Sequence, residues 1–352
     1  MTTVFKNALI GRKTTDISVE NGVIVSLDST ADGGIDLRGK RVIPGLIDIH
    51  THGCGGFDSS DGEAAKIAPI EARHGTTALL PTLMTAPIEK IQKLTDNIPK
   101  ARGAKILGYN LEGPYISPKY AGAQDTSYMT APNINDFKTI KNSPMITLAP
   151  ELDGAVDFIK SCEAHVSLGH TACDYNTAMR AFAAGADCIT HTFNAMTPIR
   201  HREPGIIPAA ADAGAFAQVI CDGVHIHPAV IRMLYKLFGA DKMILISDSM
   251  SAAGLSDGEY TLGGSRVTVR KHIAHTPNGA IAGSTSFLLD CVKKAVEFGI
   301  PFDDAVKMAS ETPARYLGRK LGRLEIGYPA DFVVLDDSLD PCMTVIDGTI
   351  YE

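Results

Sequence analysis

The central part of the chain alternates between apolar runs and segments whose apolar residues are spaced as in helices. The runs show no regular polar alternation, which is typical of strands buried on both faces of a parallel sheet. Helical spacing is present between them, in segments such as 174–184, 228–238 and 286–298. Strand and helix segments in regular succession predict an α/β fold, a (β/α)8 barrel of the TIM type. The eight predicted barrel strands cover residues 46–49, 77–80, 106–111, 145–148, 166–168, 188–190, 217–221 and 243–246.

The two ends of the chain have a different pattern, with short β-rich segments separated by turns. Such segments cover residues 16–19 and 23–27 near the start, and 331–335, 343–346 and 349–351 near the end. Asp347-Gly348 between two of these segments is a hairpin signal. We therefore expect both termini to form one small β-sandwich domain. The predicted domains are 1–44 for its first part, 45–315 for the barrel and 316–352 for its second part.

Length and charge limit the domain organisation and the kinds of partner that we expect. The length of 352 residues suits a barrel of about 250 residues with a small additional domain. A net charge of −7 and the lack of a long Lys/Arg run disfavour a nucleic-acid or membrane partner. The acidic balance does not exclude an anionic small substrate, because a local pocket of Arg and His can bind one.

The expected compartment is the cytoplasm. The N-terminal residues lack a basic segment followed by a long apolar stretch, so they do not resemble a signal peptide. The apolar runs stay well short of the roughly 20 residues that span a bilayer. The seven cysteines are odd in number and contain no CxxC pair, which predicts reduced thiols rather than a disulfide framework.

Polar residues with metal-binding chemistry follow several predicted barrel strands. The first strand runs into His50 and His52, whose side chains face the same way if the strand alternates regularly. In barrels of this kind the chemistry lies at the carboxyl ends of the strands. Histidines with one carboxylate are the usual shell of a catalytic metal. The residues that follow other predicted strands are Glu112, His170, His191 and Asp248. Any one of them alone could be an ordinary hydrogen-bonded residue at a strand end. Together with His50 and His52 they predict a metal centre.

Longer motifs make this interpretation more specific. The segment 44–52, Pro-Gly-Leu-Ile-Asp-Ile-His-Thr-His, resembles the opening strand of the amidohydrolase superfamily. Within that superfamily, further segments resemble the deacetylases that act on 6-phosphorylated N-acetyl amino sugars, and the resemblance covers essentially the whole chain. These segments are 111–115 (Leu-Glu-Gly-Pro-Tyr), 169–171 (Gly-His-Thr), 191–196 (His-Thr-Phe-Asn-Ala-Met), 202–205 (Arg-Glu-Pro-Gly), 222–225 (Asp-Gly-Val-His), 247–249 (Ser-Asp-Ser) and 327–332 (Gly-Tyr-Pro-Ala-Asp-Phe).

The resemblance implies roles for the strand-exit residues. Glu112, His170 and His191 would hold the main divalent metal, and Asp248 would act as the proton shuttle. Relatives vary at the positions of His50 and His52, so these histidines permit a second ion, giving one or two per subunit. Zinc is the first expectation for this donor set, with iron(II) and manganese as alternatives.

The resemblance also implies a substrate pocket. Asn194 and Ala195 would contact the phosphate side of the sugar, with Arg202 and His225 as charged partners in a homodimer whose neighbouring subunit supplies them. Gln124 stands where many relatives have His. Further predicted substrate contacts are Ala123, Ala282, Gly283 and Ser284.

The implied reaction is deacetylation of N-acetyl-D-glucosamine 6-phosphate to D-glucosamine 6-phosphate and acetate, in amino-sugar catabolism. Three alternatives remain open. The substrate could be the galacto epimer, which differs at one hydroxyl group. A cyclic-amide hydrolase is disfavoured because the sequence offers no evident carbamate lysine. An inactive barrel acting as a scaffold is the non-enzyme alternative, although such relatives usually lose residues that this chain retains.

Overall fold

The computed structural model of the protein describes residues 2–28 and 33–351. The outermost positions of the predicted domains, 1 and 352, lie outside the described residues. Within them, parallel strands form a nearly closed barrel sheet in sequence order, which confirms the predicted (β/α)8 barrel. Its strands are β1 Leu46–Thr51, β2 Thr76–Met84, β3 Asn110–Glu112, β4 Met145–Leu148, β5 His165–Leu168, β6 Cys188–Ile189, β7 Phe216–Ile220 and β8 Met243–Ile246.

The third predicted strand is interrupted. Lys105–Ile106 and β3 both pair with β2, but the residues between them leave the sheet. Gly108 lies in this break with a φ of 134°, and a Cβ there would lie 2.7 Å from both the Asn142 carbonyl oxygen and Pro144 Cδ. A glycine is therefore required where the chain passes close to the start of β4.

The barrel closes where β8 meets β1. The amide of Asp248 donates to the His50 carbonyl at 2.9 Å, and the amide of His52 donates to the Ser249 carbonyl at 2.8 Å. These bonds lie just past the carboxyl end of β8. Lower in the barrel, the interior is filled by apolar side chains, including Ile47 of β1. The rim at the carboxyl ends is thus a continuous hydrogen-bonded surface.

Helices follow most barrel strands and cover the sheet. Pro228–Lys242 is interrupted at Gly239, whose φ of 64° is not helical. No helix in the described ranges is both long enough and apolar enough to cross a membrane. The helices are Ala64–Arg73, Ile88–Thr95, Ile134–Phe137, Ala155–Ser161, Tyr175–Ala184, Ile206–Asp212, Pro228–Lys242, Leu288–Glu297, Phe302–Met308 and Glu311–Tyr316.

An antiparallel insertion follows β8, which the sequence pattern did not predict. Its strands are Gly258–Leu262, Ser265–Arg270 and Ile273–His275. The turn between the first two is held by Asp58, whose carboxylate accepts the amide of Gly263 at 2.8 Å. The insertion therefore packs on the carboxyl side of the barrel, beside the strand exits.

The predicted β domain of the two termini is confirmed, and its strands are hydrogen-bonded as one sheet. The antiparallel pair of Arg41–Pro44 with Phe332–Leu335 joins the two halves. A separate apolar cluster supports it, with the rings of Phe5 and Phe332 edge to face at 4.9 Å. The remaining strands are Thr2–Ile10, Lys13–Glu20, Val23–Ser26, Ile35–Asp36, Pro341–Ile346 and Thr349–Tyr351.

A buried ion pair connects this sheet to the barrel. Lys105 Nζ lies 2.9 and 2.7 Å from the two carboxylate oxygens of Asp331, and 2.7 Å from Asp347 Oδ1. The side chain of Asp331 is only 4% exposed, and burial raises its pKa although Lys105 opposes that shift. An unpaired carboxylate at this position would be costly.

We predict that Lys105→Met lowers the free energy of unfolding by about 2–3 kcal/mol, because it leaves Asp331 buried without its cation. Urea denaturation measures the effect. Lys141→Met is the matched control, since the Lys141–Asp96 pair is solvent-exposed and its loss should cost less than about 1 kcal/mol. Equal losses in the two variants would show that the buried pair does not stabilise the contact between sheet and barrel.

Candidate metal centre

The strand-exit residues meet at the floor of one cavity of about 410 Å3. Glu112 ends β3, His170 follows β5 and His191 follows β6. His50 and His52 come from the end of β1 and the residue after it, and all five are buried. Residues separated by up to 141 positions along the chain are therefore brought together by the barrel.

Glu112, His170 and His191 form a compact set of donor atoms. Glu112 Oε1 lies 3.0 Å from His170 Nε2 and 2.8 Å from His191 Nε2, and the two nitrogens are 3.1 Å apart. Three donors at these separations can all lie about 2.0–2.2 Å from a single ion, the usual distance for imidazole nitrogen and carboxylate oxygen. The donor set fits a divalent metal ion.

A second set shares the same carboxylate. His50 Nε2 lies 3.4 Å from Glu112 Oε1, and His52 Nε2 lies 3.4 Å from Glu112 Oε2. The register of β1 against β2 is irregular between Asp48 and Thr51, so regular alternation is not what orients the two histidines. Both nevertheless reach Glu112, which can bridge two ions.

Outer hydrogen bonds prepare the imidazoles as ligands. His170 Nδ1 lies 2.7 Å from the Tyr120 carbonyl, and His50 Nδ1 lies 3.0 Å from Gln218 Oε1. Because these oxygens accept a hydrogen bond from Nδ1–H, the lone pair of the neutral ring is on Nε2, toward the site. His50 Nε2 is buried and has no hydrogen-bond partner among the described residues, as expected of a ligand.

The backbone at the strand exits turns sharply. His170, His191 and Asp248 have φ angles of 46°, 25° and 49°, in the left-handed region that non-glycine residues rarely adopt. These turns take the chain off the ends of β5, β6 and β8 while the side chains point into the cavity. Such strained residues cluster at functional sites, where the surrounding structure holds them in place.

Asp248 lies beside the second set of donors. Its Oδ1 is 3.2 Å from His52 Nε2 and 3.6 Å from His50 Nε2. Burial raises the pKa of Asp248, but the hydrogen bond with His52 and the charge of His50 outweigh it, so the pKa lies below its usual value. The pKa of Glu112 is also held well below its usual value, since His170 and His50 outweigh its burial. Both groups are carboxylates at neutral pH.

Gln124 has a definite partner at this floor. Its Nε2 donates to Glu112 Oε2 at 2.6 Å, and its Oε1 accepts the amide of Thr85 at 2.8 Å. The side chain lines the cavity, as the predicted sugar contact requires. In this structure, however, its amide is bonded to Glu112, so it also orients the shared carboxylate.

The predicted phosphate side lies on the wall of the cavity. Asn194, Ala195 and His225 line it. His225 thus belongs to the cavity of its own chain, which corrects the expectation that the neighbouring subunit supplies it. Asp222 Oδ2 lies 2.7 Å from His225 Nδ1. Burial lowers the pKa of His225, but the hydrogen bond and charge of Asp222 outweigh it and raise the pKa, which favours a cationic ring. In the sequence, only the position of Asp222 three residues before His225 hints at this pairing.

The other predicted contacts divide into three groups. Ala123, Ala282 and Gly283 line the cavity. Ser284 is buried behind it, where its hydroxyl donates to the Ser247 carbonyl at 2.6 Å. Arg202 is exposed and does not line the cavity of its own chain.

Comparison with known proteins identifies the family of the chain. The amidohydrolase family matches residues 41–351. An N-acetylglucosamine-6-phosphate deacetylase from Vibrio furnissii is 36% identical over 94% of this chain and 89% of the relative. An N-acetylgalactosamine-6-phosphate deacetylase from Escherichia coli O157:H7 is 34% identical over 95% of this chain and 94% of the relative. A solved mutant of the Mycobacterium smegmatis N-acetyl-D-glucosamine-6-phosphate deacetylase, in complex with N-acetyl-D-glucosamine-6-phosphate, has a TM-score of 0.93 and 31% identity, covering 100% of this chain and 99% of that one.

We predict that Glu112→Gln abolishes tight metal binding, because Glu112 belongs to both donor sets and a neutral amide is a poor ligand for a hard cation. Elemental analysis of the purified variant measures the bound metal. Replacing His50 by Gln and His52 by Asn together should leave one ion bound by Glu112, His170 and His191.

Glu71→Gln serves as the control for this series. Glu71 is also fully buried, but burial raises its pKa to about 8, so it is largely protonated at neutral pH and resembles glutamine. This control should keep its metal. Full metal content in Glu112→Gln, or loss of all metal in the double histidine variant, would contradict the assignment of the donor sets.

Proposed function

Because the chain belongs to the amidohydrolase family, we propose that it hydrolyses the acetamide of N-acetyl-D-glucosamine 6-phosphate to D-glucosamine 6-phosphate and acetate, a step of amino-sugar catabolism. The observation that carries the proposal is the set Glu112, His170 and His191 with the Asp248 carboxylate at the same cavity floor. The chain is a hydrolase acting on an amide C–N bond, and its deacetylase relatives match nearly its whole length.

The floor of the cavity is where the acetamide reacts. A divalent ion bound there, with zinc as our first choice, supplies Lewis acidity that lowers the pKa of water toward about 7 and polarises a carbonyl. The protein's part is to hold the donor groups rigidly. Glu112 contributes negative charge from β3, and Gln124 fixes one of its oxygens by a 2.6 Å hydrogen bond.

Asp248 is positioned to move the proton. It is ionised before reaction, so it accepts a proton from the water that attacks the acetyl carbon. It then donates that proton to the sugar nitrogen as the C–N bond breaks, because an amine leaves more readily when protonated. Asp248 Oδ1 lies 3.2 Å from His52 Nε2, so the side chain is already directed to the cavity floor.

The substrate's phosphate binds away from the floor. His225 is favoured as a cation by Asp222 and lies on the wall with Asn194 and Ala195. Arg202 does not line its own cavity, so we place it in the site of a neighbouring subunit in a homodimer. Arginine suits this role because its planar guanidinium group can donate two hydrogen bonds to a phosphate.

A deacetylation assay with both epimeric 6-phosphosugars tests the proposal directly. Release of acetate from the gluco or galacto compound identifies the substrate, since relatives of both kinds have similar identity to this chain. No release from either compound by metal-loaded protein would contradict the proposed function.

We predict that Asp248→Asn retains metal and fold but loses at least about 10²-fold in kcat, the usual scale for general acid–base catalysis. Asp257→Asn is the control, because Asp257 is exposed on the insertion after β8 and should leave kcat unchanged. Turnover by Asp248→Asn close to that of the unmodified enzyme would remove Asp248 from the mechanism.

We predict that Arg202→Ala lowers kcat/KM for the phosphorylated sugar by about 10- to 200-fold, the loss expected for a charged hydrogen bond of about 1.5–3 kcal/mol. Activity on unphosphorylated N-acetylglucosamine should hardly change. Equal losses on both sugars would rule out phosphate recognition by Arg202.

Mixing Arg202→Ala with Asp248→Asn subunits tests which subunit supplies the arginine. If each subunit provides Arg202 to its neighbour, the mixed dimer has one doubly defective site and one intact site, so activity returns. A mixed dimer without recovered activity would place Arg202 in its own subunit's pocket.

A further inference from the structure

One permanent cation lines the cavity of the chain itself. Among the residues described as lining it, Lys119 is the only Lys or Arg. Nothing in the sequence pattern singles out this residue, because an isolated lysine in a loop is usually a solvated charge. Because Lys119 lies beside a centre with two carboxylates, its charge can act on a ligand bound in the same cavity.

Lys119 belongs to the short helical turn Pro118–Tyr120, which is anchored to His170. The amide of Ser117 donates to the His170 carbonyl at 2.9 Å, and the carbonyl of Tyr120 accepts from His170 Nδ1 at 2.7 Å. Backbone bonds on both sides of Lys119 thus fix this turn against the end of β5.

The His170–Thr171 segment, to which the turn of Lys119 is bonded, also contacts the loop of the predicted phosphate contacts. The amide of Thr171, next to His170, donates to the Ala195 carbonyl at 3.1 Å, and Thr171 pairs with Met196 in an isolated bridge. The turn that carries Lys119 and the loop that carries Asn194 and Ala195 are therefore neighbours across the His170–Thr171 segment. Both line the same cavity.

Lys119 also has no competing partner in the described part of the chain. It takes part in neither an ion pair nor a side-chain hydrogen bond there, although many other lysines, such as Lys105 and Lys141, are paired with carboxylates. An unpaired ammonium group on a cavity wall is available to an anionic ligand.

We propose that Lys119 binds the phosphate of the substrate from within the subunit and so determines the preference for phosphorylated sugars. The proposal rests on the proposed function for the identity of the sugar. It adds a residue to the phosphate side: the chain contributes Lys119 and His225 on its own wall, in addition to the arginine that we place in the neighbouring subunit.

The electrostatics of the cavity explain why such a residue is useful. The dianionic phosphate must be bound by a chain of net charge −7. Lys119 offers it a positive charge on the cavity wall, within the same subunit. Because Lys119 is exposed, water and salt screen the attraction, and the effect is moderate.

The test measures binding without turnover. Metal-loaded Asp248→Asn protein is titrated by calorimetry with N-acetylglucosamine 6-phosphate and with N-acetylglucosamine, alone and combined with Lys119→Met or Lys119→Arg. We expect Lys119→Met to raise Kd for the phosphorylated sugar about three- to tenfold and to leave the unphosphorylated sugar unaffected. Lys119→Arg should restore most of the affinity. The loss should shrink as ionic strength rises.

Lys236→Met is the matched control. Lys236 is exposed on Pro228–Lys242, away from the cavity lining, and its removal changes the net charge by the same amount. It should leave Kd unchanged for both sugars, so a Kd that rises as much as in Lys119→Met would attribute the effect to overall charge and overturn the proposal.

Two further outcomes would overturn it. Equal weakening of both sugars by Lys119→Met would show that Lys119 acts on the His170 segment rather than on phosphate. No change with either sugar would show that it binds nothing there. Failure of the proposed function appears separately, as absence of acetate release by the unmodified enzyme, while the calorimetric comparison still reports whether Lys119 binds a sugar phosphate.

Discussion

The hydrogen bonds that close the barrel hold the functional site together. The amide of Asp248 is bonded to the His50 carbonyl, and the amide of His52 to the Ser249 carbonyl. The last and first strands therefore meet through the residues that provide the proton acceptor and the second donor set. A displacement of β8 relative to β1 would separate Asp248 from both histidines. The fold thus sets the distance between the proposed proton shuttle and the proposed metal ligands.

The floor and the wall of the cavity carry different charged groups. The floor combines the carboxylates of Glu112 and Asp248 with imidazoles, a mixture that is stable because each carboxylate has close partners. The wall carries His225, which Asp222 favours as a cation, and Lys119. The proposed phosphate contacts and the proposed metal donors therefore lie in different parts of the same cavity.

The sequence predicted the barrel, and it predicted which strands would deliver His, Glu and Asp side chains to one rim, because both depend on local patterns. Strand exits such as Glu112, His170 and His191 follow apolar runs directly, so their meeting on one rim follows from the fold. Gln124 was expected to contact sugar, but its bond to Glu112 depends on a loop conformation that no pattern encodes. The left-handed backbone at His170 and Asp248 was not predicted either, because few His and Asp residues adopt it and nothing in the local sequence singles these two out. The insertion after β8 was missed because its turns and short strands resemble an ordinary loop.

The sheet built from both termini has a consequence for the order of synthesis. Arg41–Pro44 pairs with Phe332–Leu335, which leaves the ribosome almost three hundred residues later. Until then, one side of the N-terminal strands is an open β-edge, the kind of surface that recruits other chains. A nascent chain truncated before residue 332 would retain every metal ligand and Asp248 but expose that edge. Aggregation of such fragments would then reflect incomplete synthesis rather than a defect in the barrel.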